Sequence, residues 1–324
     1  MKALVCTAAL KPHHIEEIKE TAKEAGVELY LTPSHHEIPP EAADAEIAYG
    51  YGMNILKAEE LRANKSLRWL GVMSAGVDYL MKPGLFANED VIITNASGAY
   101  GVTIAEHIIG VSLMMMRNLT FTYAESLQGR WAMLKPQKSL KDCRITVLGT
   151  GDIGTCFAKR AKAFEPEKIT GVSRSGRTSE TVYDAMLSIE KLDTVLPETD
   201  LLVMSLPGTP ETEGILSKKR IELLPDGAYI VNVGRGSAID YDALMKELDS
   251  GRLGGAALDV FPTEPLPAES PLWKTKNLLI TPHSAGNLTL GYTLDRNVAQ
   301  FCENLREYAA GRPLHHVIDK TKGY

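Results

Sequence analysis

Cysteine is sparse and scattered. The 324 residues hold four, Cys6, Cys143, Cys156 and Cys302, and no two make a C-x-x-C spacing. They read as reduced, buried thiols of a cytoplasmic protein. Long hydrophobic runs are missing as well. The longest, over 108–116, is far short of the ~18 residues that span a bilayer and reads as a buried helix. The opening MKALVCTAAL turns directly into polar KPHH, without the extended apolar core of a signal peptide. Positive charge is in deficit, 35 Lys and Arg against 41 Asp and Glu, a net charge of −6. That balance argues against nucleic acid as the main partner, although a few local cations can still hold a small anion. No low-complexity tract and no internal repeat interrupts the chain.

What is present suits a globular protein of two domains: 44% hydrophobic and 23% charged residues, in a length that can build two cores. Short apolar stretches at 2–6, 27–31, 46–49, 67–72 and 91–94 alternate with helix-like stretches at 15–25 and 55–63. That alternation predicts a parallel sheet with helices on both faces. Asn95-Ala96-Ser97-Gly98-Ala99-Tyr100-Gly101 then reads as a hinge. The helix expected over 102–119 is apolar on nearly every face, which places it in a subunit interface or an interdomain core. Six further strands are expected at 144–148, 168–172, 200–204, 228–232, 254–258 and 278–280, with a last long helix over 289–311.

At the head of that second series, Ile145-Thr146-Val147-Leu148 runs into Gly149-Thr150-Gly151-Asp152-Ile153-Gly154. This is G-x-G-x-x-G between strand and helix. Gly149 permits a tight turn, Gly151 lets backbone approach a pyrophosphate, and Gly154 lets helix pack on strand. The helix N-terminus adds free N–H groups and partial positive charge. Alone, the pattern is weakly specific.

In open parallel sheets, ligands gather at the carboxyl ends of strands, so the later turns matter. Where a ribose-binding acid is usual stands Ser173-Arg174-Ser175-Gly176-Arg177. Ser173, Arg174 and Ser175 can donate to a 2′-phosphate that a carboxylate would repel, which favours NADP(H) over NAD(H). The competing reading is a solvated basic turn. Further strand ends carry Leu206, Pro207 and Thr212, then Val233, Gly234 and Arg235, then Asp259 and Glu264, then His283. An arginine between glycines presents a guanidinium fork suited to a carboxylate. Arginine, acid and histidine at neighbouring strand ends, beside a nucleotide loop, form a catalytic pattern that none makes alone.

These segments resemble the D-isomer-specific 2-hydroxyacid dehydrogenase family over almost the whole chain. The most specific are LGTGDIG at 148–154, LPGTPETEGIL at 206–216, NVGRGSAID at 232–240, LDVFPTEPLP at 258–267 and TPHSAG at 281–286. Weaker matches are SAGVDYL at 74–80 and NASGAYGVTIAEH at 95–107. The Ser-Arg-Ser turn is similar to that of the family's NADPH-dependent glyoxylate/hydroxypyruvate reductases.

The resemblance implies an α/β fold of two Rossmann-like or flavodoxin-like domains with parallel sheets. A nucleotide-binding domain, 101–286, is inserted in a discontinuous substrate domain, 1–100 and 287–324. Arg235 is then expected to bind the carboxylate of a small 2-oxoacid. His283 acts as general acid in reduction and base in oxidation, and Glu264 stabilises its protonated form. Cofactor contacts are implied for the glycine loop 149–154 (Gly149, Gly151, Asp152, Ile153 and Gly154), for Ser173, Arg174 and Ser175, and for Leu206, Pro207, Thr212, Val233 and Gly234. Asp259 is expected near the nicotinamide carboxamide. Amides of Ala75 and Gly76 make a second carboxylate clamp, and closure of the domains excludes water.

A homodimer is expected. Tyr51, Met53, Met73 and Tyr100 are candidates for shaping the pocket. His13-His14, His35-His36 and His315-His316 read as surface histidines, because neighbours point apart in regular structure, and no metal is expected. The reading from another class is a cofactor-sensing, corepressor-like binding protein on the same fold. Among relatives, Glu264 speaks against a formate dehydrogenase, which resembles the family but lacks the Glu-His pair.

Overall fold

The structure, a computed structural model, describes residues 1–34, 37–50, 55–133 and 136–323. The expectations placed on His35-His36, Tyr51 and Met53 lie outside the described residues. The chain divides into two compact units, one of Met1–Tyr100 with Asn287–Tyr324 and one of Gly101–Gly286.

In the first unit, β1 (Lys2–Cys6), α1 (Pro12–Glu24), β2 (Glu28–Thr32), β3 (Ile47–Tyr49), α2 (Glu59–Ala63), β4 (Trp69–Gly71) and β5 (Ile92–Thr94) follow in turn. The strands pair in parallel in the order β2-β1-β3-β4-β5, a flavodoxin-like sheet. Ala3 to Cys6 of β1 and all of β3 and β4 are buried, as a strand covered on both faces requires.

The second unit runs through α3 (Gly101–Met116), α4 (Leu119–Leu127), β6 (Arg144–Leu148), α5 (Asp152–Ala161), β7 (Lys168–Ser173) and β8 (Ala185–Ser188). It continues with α6 (Leu192–Val195), β9 (Leu201–Met204), α7 (Lys218–Leu223), β10 (Tyr229–Asn232), α8 (Tyr241–Asp249), β11 (Gly255–Leu258) and β12 (Leu278–Ile280). Its parallel sheet is ordered β12-β11-β10-β9-β6-β7-β8. The order reverses at β6, so the turn after β6 opens at the topological switch point where such sheets bind ligands. The sheet has seven strands where six are expected. The extra one, β8, is a four-residue edge strand whose residues are all half-buried, so it leaves little apolar signal.

The helix expected over 102–119 ends at Met116, and Asn118, at φ +53°, starts a separate helix, α4. α3 packs on α5, β10 and β11 of its own unit and buries Ile104, Ile108, Val111 and Met116 there. Its apolarity therefore serves its own domain's core. The exposed apolar surface lies one helix later. Leu119, Tyr123 and Leu127, four residues apart on one face of α4, are 48%, 66% and 67% exposed, and Trp131 follows at 98%.

The chain returns to the first unit with α9 (Gly291–Ala309), which packs on α1. Phe301 of α9 stacks on Tyr49 and Trp69, and the buried Trp69 indole N–H donates to Thr94 Oγ1 at 2.9 Å. Here the surface reading holds for His13, which is exposed, and fails for His14, which is buried, and the two rings do not diverge. Their rings are 3.9 Å apart, and both Nε2 atoms face Asp295 Oδ1, at 3.6 Å and 2.8 Å. The cause is a helix end: His14 Nδ1 turns back to accept the Lys11 N–H at the start of α1, which buries the ring. With Nδ1 accepting, Nε2 carries the proton and donates it to Asp295.

Candidate active site

The buried strand β6 delivers the chain to Gly149 at φ +103°, a conformation open to glycine. A Cβ at Gly149 would stand 2.8 Å from the Ser205 carbonyl oxygen, and one at Gly154 only 2.0 Å from that of Gly149. The protein itself needs those two glycines. A Cβ at Gly151, by contrast, would meet nothing within 4 Å. That free space lies at the N-terminus of α5, where first-turn amides have no partners within the helix. The turn therefore fits the pyrophosphate of a dinucleotide. Asp152 tucks its carboxylate against the start of α3, 2.5 Å from where a Gly101 Cβ would be.

At the end of β7, Ser173 Oγ accepts the Gly176 N–H and Ser175 Oγ accepts the Arg177 N–H, closing a turn that exposes Arg174 and Ser175. The turn itself holds no acid. Glu211, in the loop after β9, has its carboxyl held below the usual range by the Thr209 hydroxyl and, to a smaller extent, by the Arg174 charge. In the same loop, Thr212 Oγ1 donates to Pro207 O at 2.7 Å and accepts the Thr209 N–H at 2.9 Å. Its hydroxyl shapes the loop.

Two buried residues organise the next strand ends. The Asn232 amide accepts the Gly234 N–H and donates to Arg235 O, at 3.0 and 2.9 Å, fixing the backbone of Val233, Gly234 and Arg235. A Cβ at Gly234 would lie 2.6 Å from Leu206 O, so the loops after β9 and β10 touch, and Arg235 runs past Gly208. Beyond β11, Asp259 is 3% exposed, and its carboxylate accepts the Thr281 hydroxyl at 2.5 Å and the Ser284 and Ala285 N–H groups at 2.8 and 3.0 Å.

Glu264 divides its oxygens. Oε1 accepts the Phe261 N–H at 2.8 Å, and Oε2 lies 2.6 Å from His283 Nδ1. A carboxylate acceptor puts the proton on Nδ1 and leaves Nε2 of the half-exposed ring as the atom for proton exchange. Glu264 and His283 are thus brought into contact, and Arg235 stands at the end of the neighbouring strand β10.

In the first unit, the Met73, Ser74 and Ala75 carbonyls accept from the Tyr100 hydroxyl, the Ala96 N–H and the Asn95 amide. Among the described residues, the Ala75 and Gly76 amides donate to no group. Sequence reasoning singled out neither Asn232 nor Thr281. The Asn232-Val233-Gly234-Arg235-Gly236 run was quoted for its arginine, whereas its asparagine sets the turn.

Residues 109–285 match the model of the D-isomer specific 2-hydroxyacid dehydrogenase NAD-binding domain. A glyoxylate/hydroxypyruvate reductase A of Escherichia fergusonii is 31% identical over 270 residues, 82% of this chain and 84% of that one. The crystal structure of a D-isomer specific 2-hydroxyacid dehydrogenase family protein from Aeromonas salmonicida superposes with a TM-score of 0.86 at 32% identity, over 98% of this chain and 99% of that one. A relative from Xanthobacter autotrophicus, solved with NADPH and MES, gives 0.79 at 27% identity over 99% of each chain. The chain belongs to the D-isomer specific 2-hydroxyacid dehydrogenase family. Its second unit carries the family's NAD-binding domain.

Proposed function

We propose that this protein reduces a small 2-oxoacid of the glyoxylate and hydroxypyruvate class to the D-2-hydroxyacid, with NADPH preferred over NADH. The observation that carries the reading is the 2.6 Å pair of Glu264 and His283, toward one edge of a sheet whose switch point holds a glycine turn open at Gly151. A bound nicotinamide cofactor supplies the hydride. His283 Nε2 gives the proton to the keto oxygen, and Glu264 holds the ring in that tautomer and offsets the imidazolium charge. Arg235 binds the substrate carboxylate, with the Ala75 and Gly76 amides as further donors. Gly149, Gly151, Asp152, Ile153 and Gly154 hold the pyrophosphate, and Ser173, Arg174 and Ser175 the 2′-phosphate. Leu206, Pro207, Val233 and Gly234 flank the cofactor, while Thr212 and Asp259 act mainly through the loops they brace.

The preference for NADPH is supported by the exposed Ser-Arg-Ser turn and by the NADP(H) complexes of relatives from Xanthobacter autotrophicus and Sinorhizobium meliloti. We assign a homodimer whose contact includes the apolar face of α4, and a cytoplasmic location. Among the described residues no helix is long and apolar enough to cross a membrane.

The test is turnover of glyoxylate, hydroxypyruvate and a branched 2-oxoacid by purified protein with each cofactor. Failure to oxidise either cofactor with any of them overturns the enzymatic reading, and NADPH binding without turnover would favour a cofactor sensor. Ser173→Asp with Arg174→Ala should reverse the cofactor preference. Light scattering of Tyr123→Ser/Trp131→Ser should give monomers.

A further inference from the structure

The histidine turn is held in an unusual conformation. His283 sits at φ +51°, a left-handed setting that residues other than glycine rarely adopt. Its N–H donates to the carbonyls of Asp259 and Thr281, at 2.9 and 3.0 Å. The two residues that follow it, Ser284 and Ala285, donate their N–H groups to the Asp259 carboxylate. The backbone carrying the imidazole is thus pinned to one buried acid.

That acid is itself oriented from α3. Thr281 has a single hydroxyl proton, committed to Asp259 Oδ1 at 2.5 Å. Thr281 Oγ1 also lies 3.4 Å from His107 Nε2 and can only accept there, so His107 carries its proton on Nε2. Burial pushes the His107 imidazole below its ordinary range, against the opposing pull of the Asp259 charge. His107 is therefore a neutral donor near neutral pH. The bonds converge on Asp259: His107 donates to Thr281 and Thr281 to the carboxylate, which also accepts the Ser284 and Ala285 amides that follow His283. α3 packs on β10 and β11, so the chain starts from a braced element.

We propose that His107 is a positioning residue, which through the Thr281 hydroxyl and the Asp259 carboxylate sets the aim of the His283 imidazole toward the substrate. The proposal rests on the reading of His283 as the proton donor. A misplacement of about 1 Å at a reacting group can cost ~10²-fold in rate, so a loosened brace should act on kcat rather than on cofactor binding.

The experiment compares His107→Phe, His107→Gln, Thr281→Val and the His107→Phe/Thr281→Val double variant with the native enzyme. Steady-state kinetics are measured on the best-used 2-oxoacid. The low-field proton resonance of the His283 Nδ1–H bond to Glu264 is recorded by NMR. Thr281→Val and His107→Phe should each lower kcat about tenfold with KM for NADPH nearly unchanged, the double variant adding little because the residues act in series. Both should shift or broaden the low-field resonance. His107→Gln, which keeps an N–H donor, should recover most of the rate and the signal. A Gln variant as impaired as Phe, additive losses, or unchanged kcat and resonance in both single variants would overturn the proposal. If the native protein turns over no 2-oxoacid, the functional reading fails instead, and the resonance alone decides the positioning role.

Discussion

In the first unit, aromatic side chains of β3, β4 and α9 pack together over the sheet. Tyr49 at the end of β3 stacks on Phe301, Trp69 lies under Phe301 and Tyr308, and Thr94 at the end of β5 receives the Trp69 indole N–H. In the second unit, the carboxyl ends of several strands run into turns that leave backbone and polar side chains at the surface: Gly151, Arg174, Arg235 and His283. Both sheets are parallel and built from the same α/β alternation. The difference shows that a row of strand ends becomes a site only where small residues hold the turns open and buried acids or amides brace them. The first sheet packs aromatic side chains on β3 and β4 under α9 and gains stability, keeping, among the described residues, undonated amides in the loop after β4. The second leaves the turns after several strands open, where the chemistry is proposed.

The largest expected effect separates these two uses. His283→Gln should lower kcat by about 10²–10⁴-fold, the range for a lost general acid, while the thermal midpoint stays near that of the native protein. The comparison breaks if the midpoint falls sharply, because His283 would then be structural.

The glycine turn divides the same way within six residues. Gly154→Ala forces a Cβ to 2.0 Å from the Gly149 carbonyl oxygen and should destabilise the second unit by about 1–3 kcal/mol, seen as a lower denaturation midpoint. Gly151→Ala meets nothing in the protein and should leave stability unchanged. Its methyl group instead occupies open space, where the pyrophosphate is proposed to lie. NADPH affinity should fall about tenfold, a loss of ~1.4 kcal/mol readable by calorimetry. Equal affinity in the Gly151 variant would remove the pyrophosphate from this turn.

Legibility in the sequence followed the same division. Gly149, Gly151 and Gly154, and the Arg235, Glu264 and His283 strand ends, stand out in the sequence as candidates because their spacing against the strands is local; the structure places Glu264 and His283 in contact. The alternation of apolar runs marks eleven of the twelve strands among the described residues, and β8 escapes because an edge strand of half-buried residues has no apolar period. Braces were the harder class. Thr281 and His107 act through side chains on other elements, which no local pattern announces, while Asn232 braces its own turn through the Gly234 N–H and Arg235 carbonyl. His14 misled for a related reason, since capping at a helix start turned it inward against the rule that neighbours diverge. The apolar composition of 102–119 points to burial in a subunit interface or an interdomain core, whereas α3 is buried within its own unit and the exposed stripe falls on α4.

A smaller effect is expected in the aromatic packing of the first unit. Trp69→Phe removes the donor to Thr94 and leaves that buried hydroxyl without it, at a cost of roughly 1–3 kcal/mol. Chemical denaturation should report the loss, and NADPH affinity should not change. A change in cofactor affinity would mean that this packing contributes to the site.

The smallest effect concerns the opposite, amino end of the second sheet, where charges serve stability alone. Asp200, just before β9, accepts the Arg144 N–H and Nε–H, both at 3.0 Å, and Lys138 lies 3.5 Å away. Burial alone would raise its carboxyl, but the Arg144 bonds and charge more than offset this and hold it below the usual range. Asp184, before β8, is held down likewise, with the Lys162 ammonium and the Ile169 N–H outweighing burial. A carboxylate whose folded value is depressed contributes stability that is complete above its unfolded value near ~3.9, and that contribution disappears as pH falls through the folded value. Asp200→Asn should therefore lower the denaturation midpoint modestly at neutral pH, and its deficit should shrink progressively below about pH 4, where the native acid also takes up its proton. The kcat should stay within about twofold of native, since surface-linked ion pairs of this kind contribute on the order of 1 kcal/mol and none of these groups stands at a carboxyl strand end. A deficit that stayed constant into acid would mean that Asp200 acts through packing, and a large loss of kcat would show that the two ends of the sheet are not separate in function.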